Sequence, residues 1–238
     1  RAFVHGFALG PAMWSSLAGP DDRALTVHGH QGRPIDRDAD FVTLVDDLAA
    51  ELEPKTHLIG YSMGGRLALA IALRHPAQVG RLSLLSCHPG IADPKERASR
   101  RQRDRQLATS IEARGLAWFR DYWQSLPMWS SQRSCDPGRL QAVAKMRLGH
   151  DPAALASALR ALGPGAMPDY SPALATLAID TDIVVGELDP RYRSIGERMA
   201  QMIPSSRVRV IAGAGHNLVL EAPAAVAELF SDRAEAVA

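Results

Sequence analysis

The chain has 238 residues, 46% of them hydrophobic, with 27 lysines and arginines against 26 aspartates and glutamates. That length suits one large core with an insertion better than two small domains, and a formal net charge of +1 gives no basic or acidic excess that would point to nucleic acid or another polyanion. The only two cysteines, Cys87 and Cys135, lie in no CxxC or Cys/His spacing able to hold a metal, and a reducing compartment fits them.

The opening RAFVHGFALG has too short an apolar run, broken at His5 and Gly6, for a secretory signal. No later stretch offers about 18 uninterrupted apolar residues for a membrane span, so a soluble, cytoplasmic protein is expected. Six apolar runs recur along the chain: AFVH (2–5), ALTV (24–27), THLIGY (56–61), RLSLLS (81–86), AIDTDIVVG (178–186) and RVRVIAG (207–213). Strands buried on both faces read as nearly continuous aliphatic residues, and the last four runs largely do. FVTLVDDLAAEL (41–52) and GRLALAIALRHP (65–76) carry apolar residues at three- and four-residue spacing and predict helices, the second stopped before Pro76. Alternation of this kind predicts an α/β fold, a mostly parallel sheet of about six strands with helices on both faces.

Between residues 88 and 171 the periodicity becomes helical and no strand is predicted. This stretch is expected to form a helical lid inserted in a core made of 1–87 and 172–238. Its first helix starts at Asp93-Pro94 and packs Lys95, Arg97, Arg100, Arg101, Arg103 and Arg105 into three turns. Such charge runs are usually solvated, yet a helix with 3.6 residues per turn cannot turn all of these side chains to water equally. At least one is expected to face inward.

Gly60-Tyr61-Ser62-Met63-Gly64 is a G-x-S-x-G sequence placed after a predicted strand and before a predicted helix, the context in which the turn lifts a serine to the carboxyl edge of a sheet. A serine hydroxyl needs an imidazole as base and a carboxylate to orient that imidazole. Asp189 follows the fifth run and His216 the sixth, in the chain order Ser, Asp, His. Asp182 lies inside its strand, and Glu187 stays open as the competing acid. His5-Gly6-Phe7 follows the first strand, which assigns the oxyanion N–H donors to Phe7 and Met63 and leaves His5 a structural part. His28 and His30 have no nearby carboxylate or cysteine and make a weak metal site.

The H-G-F, G-Y-S-M-G-G-R, G-E-L-D and A-G-H-N segments resemble the α/β-hydrolase superfamily. Arg66 after the serine, HPG at 88–90, ERASRRQRDRQ at 96–106 and DYWQSLPMW at 121–129 resemble a narrower family, the 2-succinyl-6-hydroxy-2,4-cyclohexadiene-1-carboxylate (SHCHC) synthases of menaquinone biosynthesis. The resemblance implies a lyase that eliminates pyruvate from an enolpyruvyl-cyclohexene bearing three carboxylates, with Ser62, His216 and Asp189 as a general-base relay and no cofactor or metal. It implies that Arg66, Arg100 and Arg147 bind the small polycarboxylate substrate, as a planar guanidinium suits a carboxylate. Tyr61 and Trp123 become either pocket wall or ordinary core. Two departures stand out: only four residues precede His5, so a truncated sheet is expected, and Trp129 replaces the family's phenylalanine. The competing readings are a carboxylesterase or carbon-carbon bond hydrolase that acylates its serine, and a non-catalytic receptor on the same fold.

Overall fold

The computed structural model describes residues 1–231; residues 232–238 of the expected core lie outside the described residues. The six runs form β1 (Ala2–Val4), β2 (Arg23–Leu25), β3 (Thr56–Tyr61), β4 (Val79–Leu85), β5 (Thr181–Gly186) and β6 (Ser206–Ile211). They make one open sheet in the order β2-β1-β3-β4-β5-β6, and every pairing is parallel. Side chains alternate across it with a period of two. Ala2, Val4, Leu58, Ile183 and Val185 enter one core, while Phe3, Ile59, Tyr61 and Val184 enter the other. The last run departs from burial on both faces. It is the edge strand: Val208 is half-buried, Arg209 and Val210 are exposed, and Arg207 pairs with Asp182 of β5.

Helix α1 (Phe41–Ala49) is capped by the Asp40 carboxylate, which accepts from Thr43 N–H at 2.8 Å. Helix α2 (Met63–Arg74) buries every residue from Met63 to Ala72, as a helix packed between sheet and neighbouring helix must. Full burial of Leu67, Leu69 and Ile71 contributes about 1.5–3 kcal/mol each. A charge at Ile71 would break this layer.

Between β4 and β5 lie α3 (Pro94–Gln124), α4 (Pro137–Leu148) and α5 (Pro152–Leu162), with a 3₁₀ stretch at Pro127–Ser134. Gly115, at φ 75°, interrupts α3. Each of the three helices begins with Asp-Pro: proline supplies the helical φ at the first position, and Asp93, Asp136 or Asp151 accepts a free backbone N–H. Ala108, Ile111, Phe119, Leu155 and Leu159 close a third apolar cluster that reaches down to Ala8 after β1. Helices α6 (Pro190–Met202), α7 (Leu218–Glu221) and α8 (Pro223–Ser231) complete the fold.

The chain leaves β1 for β2 on one side, whereas β3 leads to β4 on the other. A crevice therefore opens at the carboxyl ends of β1 and β3, where open α/β sheets bind ligands. The helices between β4 and β5 roof it.

Candidate active site

Ser62 sits between β3 and α2 with φ 53° and ψ −106°, a conformation costing a non-glycine residue about 1–3 kcal/mol. Close packing holds it there. A Cβ on Gly60 would strike the Gly64 backbone, and one on Gly64 would strike the Val4 carbonyl, so the two glycines let the turn pass over β1. The Ser62 N–H donates to the Leu85 carbonyl at 2.8 Å, which fixes the elbow to β4.

His216, 1% exposed, places Nε2 3.1 Å from the Ser62 hydroxyl oxygen and Nδ1 2.8 Å from Asp189 Oδ2. An ionised carboxylate only accepts, so Nδ1 carries the proton and Nε2 accepts from the serine hydroxyl. Asp189 begins α6 with the same Asp-Pro device as the roof helices: its Oδ1 accepts from Tyr192 N–H at 3.2 Å, and its second oxygen is given to His216. Glu187 is exposed and accepts instead from Gly213 N–H at 2.8 Å. Of the two acids, Asp189 is the one within hydrogen-bond distance of His216. Both Glu221 oxygens grip the loop around His216, accepting from Gly215 N–H at 2.6 Å and Asn217 N–H at 3.0 Å. Rings of Tyr192, Trp129 and Tyr61 lie 4.4, 5.5 and 5.7 Å from the imidazole and wall it from water.

Ser62, Asp189, Tyr61, Tyr192 and Trp129 line a cavity of about 1060 Å³ that also takes in Phe7, Met63, Arg66, Arg100, Trp123 and Arg147. Among the described residues neither the Phe7 N–H nor the Met63 N–H, the latter at the first position of α2, has an acceptor. Trp123 is both wall and core, since its ring also packs on Phe7 and Phe119. The Tyr61 hydroxyl is buried without a partner, and burial holds its acidity well below that of an ordinary phenol.

Arg66, 5% exposed, donates through Nη1 to the Leu162 carbonyl at 2.8 Å. Arg147, 2% exposed, donates to Gln124 Oε1 at 2.6 Å, lies 5.8 Å from the Trp129 ring centre and leaves Nε without a partner. Burial lowers each guanidinium to about 10, which keeps both charged at neutral pH. Neither has a carboxylate within ion-pair distance among the described residues. A buried cation without its anion costs several kcal/mol. Arg100 is half-buried and held by Asp104 at 2.8 Å, whose other oxygen accepts from Gly165 N–H at 3.1 Å. Helix phase decides the arginine run: Arg100 and Glu96 line the main cavity, whereas Arg97, Arg101 and Arg105 line a separate cleft beside Ala166–Pro168.

The histidines of the loops after β1 and β2 are occupied within the fold. His5 Nε2 accepts from Val27 N–H at 3.0 Å, and His30 Nε2 accepts from Ala8 N–H at 3.1 Å. Arg33 donates to His28 Nε2 at 3.0 Å. No cluster of three or more His, Cys, Asp or Glu is placed to hold a metal among the described residues. Sequence reasoning missed His88 and Tyr192 as cavity residues. His88 stood in plain view in the HPG segment, whereas nothing in the order of residues marks Tyr192 as facing His216.

Residues 2–229 match the alpha/beta hydrolase family. A Bacillus subtilis (strain 168) protein provisionally named 2-succinyl-6-hydroxy-2,4-cyclohexadiene-1-carboxylate synthase is 32% identical over 240 residues, covering 96% of this chain and 88% of that one. The synthase of that name from Enterobacter sp. (strain 638) is 30% identical, over 94% of this chain and 87% of its own. Among solved structures, MenH from S. aureus superposes with a TM-score of 0.90 at 28% identity, over 96% of this chain and 90% of that one. A thermophilic esterase from Thermogutta terrifontis, solved with malate bound, gives 0.82 at 26% identity, over 96% and 86%. No described helix is long and apolar enough to cross a membrane. The chain belongs to the alpha/beta hydrolase family, and within it to the group that includes the 2-succinyl-6-hydroxy-2,4-cyclohexadiene-1-carboxylate synthases.

Proposed function

We propose that the protein is a cytoplasmic lyase of menaquinone biosynthesis that eliminates pyruvate from an enolpyruvyl-cyclohexene bearing three carboxylates, yielding SHCHC. One observation carries the reading: Arg66 and Arg147, both buried and both lacking a carboxylate partner among the described residues, line the cavity that holds Ser62. A simple ester needs no such cations. A substrate with several carboxylates supplies the missing anions and recovers the cost of burying the guanidinium groups.

In this reading Ser62 takes the proton α to the succinyl ketone and passes its own to His216 Nε2, and Asp189 stabilises the resulting imidazolium. The C–H electron pair forms an enolate, whose oxygen accepts from the unoccupied N–H groups of Phe7 and Met63. That pair then moves through the ring alkene to the carbon bearing the enolpyruvyl ether. The C–O bond breaks, the leaving pyruvate enolate recovers a proton from the relay, and the ring becomes a diene. No water is consumed and no acyl-enzyme forms. Arg66 and Arg100 hold one end of the substrate and Arg147, with Tyr61 and Trp123, the other; residues 88–171 act as the lid.

Pyruvate release, coupled to lactate dehydrogenase, tests this. Wild-type protein is expected to release one pyruvate per substrate, and no release above a Ser62→Ala control would overturn the lyase. An acylated Ser62 with ester turnover would install the esterase reading, and ligand-induced stabilisation without turnover the receptor.

A further inference from the structure

We infer that His88 is a substrate-binding residue, its Nε2–H donating to a carboxylate oxygen held between Arg66 and Arg100; this rests on the anionic substrate proposed above. His88 opens the segment that leaves β4 for the roof, directly after Cys87, and it lines the same cavity as both arginines. Its Nδ1 lies 3.1 Å from the Gly90 nitrogen and 3.2 Å from the Gly90 carbonyl oxygen. The Gly90 N–H has no other acceptor among the described residues, and an orphaned buried N–H is tolerated far less than a carbonyl with a spare lone pair. Nδ1 is therefore the acceptor, and the ring proton resides on Nε2. That nitrogen has no partner among the described residues and yet is not among their sealed, partnerless polar atoms, so it stays accessible from the cavity.

The surroundings explain why a histidine serves here. Burial, reinforced by the nearby Arg66, Arg100 and Arg191 charges, lowers His88 to about 3. It is neutral at working pH. A further cation would repel Arg66 and Arg100, whereas a neutral N–H adds a directional bond to the same anion without adding charge. Tyr192, 6.4 Å away between ring centres, backs the imidazole on the α6 side.

Two substitutions separate binding from bracing. In His88→Asn the side-chain amide sits where Nδ1 was, so it still accepts from Gly90 N–H but loses the outer donor. In His88→Gln the amide nitrogen reaches the former Nε2 position and restores that donor. Calorimetric titration with succinate, a plain dicarboxylate, reads binding without turnover, and the pyruvate assay reads KM and kcat. His88→Asn is expected to weaken succinate and raise KM about 10- to 100-fold with a much smaller change in kcat, the loss of one neutral donor to a charged acceptor. His88→Gln recovers most of it. Wild-type affinity in His88→Asn, equal damage in both variants, or no succinate binding by the wild type overturns the inference. Donor-dependent succinate binding without pyruvate release would sink the lyase and leave His88 standing; pyruvate release indifferent to His88→Asn would do the reverse.

Discussion

Two groups of buried polar side chains, the histidines of the loops after β1 and β2 and the arginines of the cavity, are finished differently. His5 and His30 each spend Nε2 on a backbone N–H of those loops, and their Nδ1 atoms lie 2.9 and 3.0 Å from the carbonyls of Gly6 and His28. Arg66 and Arg147, in contrast, satisfy one nitrogen each with a carbonyl or amide oxygen and have no carboxylate within ion-pair distance among the described residues. Both groups bear a desolvation cost, but only the first recovers it within the fold. In the reading proposed above, the histidines belong to the scaffold and the arginines to the ligand. Substitutions on the two sides are expected to separate cleanly into losses of stability and losses of activity.

The largest loss is expected at the relay that the two regions enclose. Ser62→Ala and Asp189→Asn should each lower kcat for pyruvate release by about 10⁴-fold, the asparagine because its amide nitrogen forces His216 into the other tautomer. A drop in Tm of more than a few degrees in Asp189→Asn would show that its role as the cap of α6 dominates instead. Next come the open cations. Arg66→Ala and Arg147→Ala should each lower kcat/KM by about 2–4 kcal/mol, roughly 30- to 1000-fold, while Tm stays level or rises because an unpaired buried charge has been removed. Arginine variants that unfold yet bind normally would erase the distinction between the two regions.

The fold was legible because each strand of the sheet falls on one of the six apolar-rich runs, and the run boundaries lie within three residues of the strands that form. β6 was misjudged as doubly buried, since edge position depends on which strand is left unpaired and not on the run itself. That Ser62, Asp189 and His216 come together was readable because fold topology carries loops at strand ends to one edge. Asp189 was also marked locally, by the Asp-Pro that starts α6. The walls were harder. Tyr192 and Trp129 meet the imidazole only through the crossing of α6 and the roof over the sheet, a packing that leaves no spacing signal. The arginine run gave the opposite difficulty, many candidates with one phase, and the Arg100–Asp104 pair at i,i+4 is what turns Arg100 inward.

A smaller effect tests the closed side. His5 is held neutral, burial lowering it to about 4, while in the unfolded chain it titrates near 6.5. The unfolded state thus takes up the proton first as pH falls. The contribution of His5 is complete above about 6.5 and is lost toward 4, at about 1.4 kcal/mol per pH unit. His30 and His88 are lowered in the same direction and add to the slope. Urea unfolding from pH 7 to 5 should show stability falling steeply, and His5→Gln, whose amide oxygen can still accept from Val27 N–H, should flatten the slope by about one proton. An unchanged slope would mean that the His5 imidazole is already protonated in the fold.

The smallest effect concerns the carboxylate that competed with Asp189. Glu187 lies two residues before it in the same loop, but its oxygen is committed to Gly213 N–H on the solvent side. Glu187→Gln keeps an acceptor for that N–H and removes only an exposed charge, so kcat/KM should stay within about twofold and stability within about 0.5 kcal/mol. Combined with Asp189→Asn, it should add nothing to the loss, because the two side chains share no partner. A double variant much slower than Asp189→Asn alone would show Glu187 swinging in to orient His216. The line between scaffold and site would then have to be redrawn through that loop.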